Sequence, residues 1–275
     1  MRSTRTGWIG LIVGDWTTGD DARSCARRAV RAGRALGLRT LAVSTDERCL
    51  ARLAADGWSM RPASSADPLG LATALTPAGS IEVPPALLLG DGATLPHTTA
   101  RVAALLGGRI PDPDAVARCA AVVTRQRVAA QARRSQTPSR RYVVQVQDGA
   151  VVGIVEDVTA GGHRRDYDCP GTAADRRVAR LLRARTLAVL NTAGVTSGPA
   201  EVTARVDDDG GVSVMDVAPG RIDACVASVI ELATGRDPIM AAVLAAATAA
   251  ARPRRLRAIR RATRHASLRR ADLRT

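Results

Sequence analysis

The chain has 275 residues, enough for one or two domains with a real core, and its 46% apolar and 24% charged content argues against a disordered protein. All 40 basic residues are arginine and the formal net charge is +14. Without lysine, chemistry that needs an amine side chain, such as a Schiff base or a phosphate-gripping P-loop, is excluded.

The absence of Lys and Phe and the single Asn, Asn191, follow codons rich in A and T, the imprint of a high-GC bacterial genome. The charge is uneven: residues 252–275 hold ten arginines against one acid, Asp272, which supplies +9 of the total and leaves the body mildly basic. Five cysteines stand singly with no CxxC pair, which points to neither a zinc site nor a disulfide framework and fits a reducing cytoplasm. The apolar stretch 8–14 ends at Asp15 with no small-residue cleavage site after it, so it reads as a strand rather than a signal. The later apolar run 241–251 is about half of the ~20 residues a membrane-spanning helix needs, and no span is expected.

In chain order, residues 8–13 predict a buried strand, 20–36 a helix stopped by Gly37, 40–44 a β-rich run, 46–55 a helix with an acidic start, and 86–89 a second buried strand. Asp91-Gly92 then turns into a helix over 96–106. This βαβ rhythm predicts a small parallel sheet with helices on both faces. Residues 113–134 form one long helical pattern ended by Pro138. After it the period changes. Two β-rich runs, 142–146 and 151–155, flank Asp148-Gly149, a strong hairpin signal. A polar loop covers 161–171 and an amphipathic helix 173–190, and a second hairpin pairs 201–206 with 212–217 around residues 207–211. Two helices close the body, which predicts antiparallel strands covered by helices on one side.

Several features suggest chemistry and have plainer explanations. The turn from Gly14 to Gly19 could cradle phosphate at a helix N-terminus, but Asp20 and Asp21 put negative charge where the anion would sit, so acidic capping accounts for it. Asp207, Asp208 and Asp209 precede two glycines and read as a hairpin turn rather than a metal cluster. His97, His163 and His265 lack ligand spacing, and no GxSxG nucleophile motif occurs.

One segment is more specific. Residues 194–200 (GVTSGPA), a hairpin, residues 214–221 (VMDVAPGR) and residues 230–235 (IELATG) follow one another in order. This arrangement resembles the C-terminal half of ATP-grasp ligases, whose members read GVxxGPAHTE, a short hairpin, EVNPR and ELxxLATG. Upstream, Thr137-Pro138 after a long helix is similar to that family's entry into its ATP-grasp domain.

The resemblance implies a Rossmann-like pre-ATP-grasp domain over 1–109, a linker helix over 110–140, a partial ATP-grasp domain over 141–251 and an Arg-rich tail over 252–275. It also implies ATP and Mg²⁺ as cofactors, the metal being held by carboxylates and an amide oxygen on adjacent hairpin strands. At those positions this chain departs from the pattern. Thr203 stands in place of the first carboxylate, Glu201 in place of the histidine, and Ala218 in place of the asparagine, so that Asp216 is the one metal-ligand candidate. Gly220 takes the arginine position and Arg221 comes one residue later. The nucleotide-clamping subdomain is also missing, since Pro138 runs within four residues into Tyr142. Arg125, Arg127 and Arg221 are the candidates to face the nucleotide in place of lysines.

Three readings stay open. One is an ATP-grasp ligase relative that is not catalytic alone. Another is a minimal active ligase completed by a partner subunit or a second copy. The last is a non-enzymatic basic protein that binds nucleic acid or anionic surfaces through residues 252–275.

Overall fold

A computed structural model describes residues 7–13, 19–76, 85–90, 96–108, 112–132, 139–158, 167–168 and 173–251. Residues 14–18 of the glycine turn and the Arg-rich segment 252–275 lie outside this set.

The N-terminal part is built around four parallel strands in the order β3 (Ser59–Pro62), β2 (Arg39–Ser44), β1 (Trp8–Ile12), β4 (Leu87–Gly90). Strands of such a sheet are covered on both faces and so carry continuous apolar runs, as Ile9, Leu11 and Ile12 do in the central strand β1 and the three leucines do in the edge strand β4. One face packs on α1 (Gly19–Ala35) and α2 (Glu47–Ala55). The other packs on α3 (Pro68–Leu75) and α4 (Pro96–Leu105), through Leu71, Leu75 and Val102. Aspartates start two of these helices: Asp46 accepts from the Arg48 N–H and Asp67 from the N–H groups of Leu69 and Gly70. The expected sheet is present, with β3 and α3 as additions. β3 escapes a pattern search because it is a short, largely exposed edge strand.

The long helix α5 (Pro113–Ala132) leads into an antiparallel sheet of order β7-β6-β5-β8-β9, made of β5 (Ser139–Gln147), β6 (Ala150–Asp157), β7 (Tyr167–Asp168), β8 (Pro199–Asp207) and β9 (Val212–Pro219). Both hairpins form as expected. Asp148 and Gly149 take φ of 49° and 74°, the left-handed pair a two-residue hairpin turn requires. The small strand β7 falls in the stretch read as a polar loop.

Helix cover is the main departure. α5 and α6 (Ala173–Ala193) bury one face against Tyr142, Val144, Val202 and Ala204. α7 (Ala224–Thr234) packs on the opposite face, against Val143 and Val155, where one-sided cover was expected. The reason lies in alternation: Val143 and Val155 make the second face apolar too, and Gly153 lets Ile230 come down onto the sheet.

α7 and α8 (Pro238–Ala251) also join the two halves. Their residues Ala227, Ile239, Ala242, Val243 and Ala246 share one cluster with β1 and α1. Arg28 of α1 seals this junction, donating to Ser228 (3.0 Å), to Asp237 (3.2 Å) and to Glu231. No helix among the described residues is long and apolar enough to cross a membrane.

Candidate functional site

A cavity of about 530 Å³ opens on the α7 face of the antiparallel sheet, lined by Ser139, Arg141, Val143, Asp157, Glu201, Thr203, Arg205, Met215, Asp216 and Arg221. Register assembles it. Arg141 of β5 lies opposite Asp157 on β6 and Arg205 on β8, and Thr203 lies opposite Val143 on one side and Asp216 on the other. Cross-strand partners share a face, so residues from four strands converge here.

An irregularity in the β8–β9 hairpin decides which of its side chains arrive. A register shift between Thr203 and Ala204 leaves Met215 unpaired, so Asp216 opposes Thr203 while Val214 opposes Ala204. Strict alternation would have placed Val214 and Asp216 on one face; instead Val214 is buried on the α5 side and Asp216 is exposed at the cavity.

The charges are largely matched. Arg141 Nε lies 3.4 Å from Asp157 Oδ2, and Arg221 Nε 3.6 Å from Glu201 Oε1. Glu201 is buried at 7% exposure, and its other oxygen accepts from the Asp223 N–H at 3.1 Å. Asp223 caps α7 by accepting from the N–H groups of Cys225 and Val226. Glu201 thus ties β8 to the start of α7. The buried Gln145 amide donates to the carbonyls of Ala200 (3.1 Å) and Arg221 (3.4 Å) and holds the chain where it leaves β9. Among the described residues the Asp216 carboxylate has no side-chain hydrogen bond or ion pair.

Of the residues singled out in the sequence, Asp216 and Arg221 both line the cavity, although Arg221 sits one place later than the motif requires. Arg125 does not join them: it is exposed on α5, which covers the other face of the sheet. The side chain of Arg127 lies outside the described residues. Arg141 and Asp157 were missed, because nothing marks them apart from other surface charges until the strands are in register.

The set fits Mg²⁺ poorly. This ion dehydrates reluctantly and favours carboxylates together with substrate phosphates, whereas here Asp216 is joined only by the Thr203 hydroxyl, Ala218 has no side-chain oxygen, and Glu201 is engaged by Arg221. Among the described residues no group of three or more His, Cys, Asp or Glu could hold a metal.

Comparison with solved structures identifies the architecture. The L-amino acid ligase from Bacillus licheniformis superposes with a TM-score of 0.62 at 13% identity, over 88% of this chain and 75% of that one. The chain has the ATP-grasp fold. The biotin carboxylase domain of a single-chain bacterial carboxylase gives 0.62 at 18% identity, over 87% of this chain and 68% of that one. The multifunctional pyruvate carboxylase from Rhizobium etli gives 0.63 at 17% identity. This ATP-grasp fold covers 88% of the chain but spans only 24% of that carboxylase. No protein-family model matches the sequence, and no curated protein matches it.

Proposed function

We propose that this chain is a shortened relative of ATP-dependent carboxylate–amine ligases that does not catalyse ligation by itself. The observation that carries this reading is the cavity's charge pairing. Two of its three carboxylates, Asp157 and Glu201, face arginines, which leaves Asp216 and a threonine where the resemblance calls for a metal-binding set. The missing clamp subdomain points the same way, since ATP would lose both its apolar cover and its phosphate donors. Each charge-assisted hydrogen bond lost costs roughly 1.5–3 kcal/mol, so several raise the dissociation constant by powers of ten.

In this reading residues 1–109 are a Rossmann-like pre-ATP-grasp domain, 110–140 the linker, 141–251 a partial ATP-grasp domain and 252–275 a basic tail, in a cytoplasmic protein. Arg221, with Asp216, is the remnant of the nucleotide site. A second reading, a minimal ligase completed by a partner, draws support from the quarter-length match to a multifunctional enzyme. Calorimetry with ATP and Mg²⁺, and an ADP-release assay with amino acids, separate the two. The chain alone is expected to show neither micromolar binding nor turnover. Tight Mg²⁺-dependent ATP binding that is abolished by Asp216→Ala and survives removal of residues 252–275 would overturn the first reading.

A further inference from the structure

On the face of the sheet away from the cavity, α6 buries one side and leaves the other bare. Leu182, Val189, Leu190 and Ala193 recur at helical spacing and are buried against the antiparallel sheet. Around them the helix carries five arginines, Arg176, Arg177, Arg180, Arg183 and Arg185, all exposed, and a single acid, Asp175 near its start. Arg176 and Arg180 stand four apart, and Arg180 and Arg183 three apart. Like charges at those spacings repel, so the row weakens α6 rather than stabilising it.

At 3.6 residues per turn, Arg176, Arg180 and Arg183 fall within about 60° of one another around the helix. Arg177 lies on another flank, where with Leu181 it lines a smaller cavity beside Asp207, Asp208 and Asp209. No carboxylate answers the other three: among the described residues none of them has an ion pair or hydrogen bond. By contrast, Arg27, Arg28, Arg118 and Arg141 each meet a carboxylate.

We propose that the row Arg176, Arg180 and Arg183 is a docking surface for the phosphodiester backbone of a nucleic-acid duplex. A guanidinium is planar, always charged, and can bond two phosphate oxygens at once. From Arg176 to Arg183 the helix rises about 10 Å, and a duplex, with one charge per ~1.7 Å of axis, presents about six phosphates over that length. Every arginine of the row thus has a phosphate within its span. Two other occupants fit less well. A helix lying in a membrane surface sinks its apolar side into the lipid, and that side of α6 is committed to the sheet. Unpaired bases are held by aromatic stacking, and α6 has no aromatic residue.

The test follows fluorescence anisotropy of a labelled DNA duplex titrated with the full chain at several salt concentrations. An RNA duplex of the same sequence forms a second arm, and the tighter of the two names the source. Changing the row together, as Arg176→Gln, Arg180→Gln and Arg183→Gln, is expected to weaken binding at least about tenfold. It should also lower the slope of log K against log salt by about 2.7, since each phosphate contact contributes ~0.9. The same three positions changed to lysine keep the charge, so the slope holds within about 0.5 and affinity falls less. Arg48→Gln, Arg52→Gln and Arg61→Gln, at exposed positions of the N-terminal half, subtract the same net charge and should change affinity less than about threefold. Whatever share residues 252–275 contribute, these variants leave it untouched. Should the α6 glutamine variant melt early, Arg180→Gln alone is read instead, with an expected slope change of about 0.9.

No binding to either duplex, an equal loss in the two glutamine triple variants, or an unchanged slope in the α6 variant would overturn the proposal. Binding to phosphatidylserine vesicles or to polyglutamate that depends on the row and exceeds binding to either duplex would overturn it too, and would assign the surface to lipid or to an acidic protein. None of these outcomes bears on ATP binding at the cavity, which lies on the other face of the sheet.

Discussion

Replacing Gly153 with alanine tests how α7 is seated on the sheet beside the cavity. A Cβ at this position would lie 2.5 Å from both Cδ1 and Cγ1 of Ile230 and 2.8 Å from its Cγ2. Carbon atoms pack at about 3.5–4.0 Å, so Ile230 has to retreat by about 1 Å. It has nowhere to go, being fully buried among Val143, Val155 and Val226. Overpacking by a methyl group costs about 1–3 kcal/mol, and the stiffer unfolded chain returns about 0.4–1 kcal/mol, for a net loss of about 1–2 kcal/mol. Urea unfolding followed by circular dichroism should show a lower midpoint at unchanged slope. Ile230→Ala alone should cost about 2–5 kcal/mol through the cavity it leaves. In the double variant the new methyl fills part of that space, so the combined loss falls short of the sum by about 1 kcal/mol or more. Strict additivity, within about 0.3–0.5 kcal/mol, or full stability in Gly153→Ala, would refute this packing.

Arg28→Gln removes the charged clamp between α1 and the α7–α8 pair. Because Glu231 is half exposed while Arg28 and Asp237 are more enclosed, the expected loss is about 2 kcal/mol, or about 4–8 °C in Tm by thermal melt, and an unchanged Tm would show that the halves hold together by apolar contact alone. Burial pushes the Cys119 thiol up from 9.0 to about 11. Iodoacetamide at pH 8, read by mass spectrometry, should therefore label the half-buried Cys25 and Cys225 well before Cys119, and equal rates would contradict its burial. The same shift has a stability sign. Below pH 9 the thiol is protonated in both states and its contribution is whole; above it only the unfolded thiol ionises, so stability falls as pH rises towards 11. Cys119→Ala should flatten that fall in equilibrium unfolding, and an unaltered slope would assign it to other groups.

The sequence by itself determined the elements and much of their order. Apolar runs at 8–13 and 86–89 could only be buried strands, Asp148-Gly149 could hardly be anything but a hairpin turn, and the 194–235 segment carried the resemblance that the solved structures bear out at the level of fold. It also showed that Ala218 has no oxygen to give a metal, a matter of composition that no packing can repair.

Only the tertiary structure decided which charges meet. Counting outward from the Gln147–Ala150 pair, Arg141 would face Glu156; the register shift between Gln145 and Val146 moves it to Asp157, on the other side of the strand. Likewise, counting from the Val206–Val212 pair sets Thr203 opposite Met215, and the shift after Thr203 brings Asp216 there instead. A strand's side chains alternate with period two, so one inserted residue exchanges the face of everything beyond it. Where that residue goes depends on how Val214 and Val217 pack against α5 and α6 and how Val143 and Val155 pack against α7. Those contacts join segments distant in the chain, and so no local pattern in either hairpin records them.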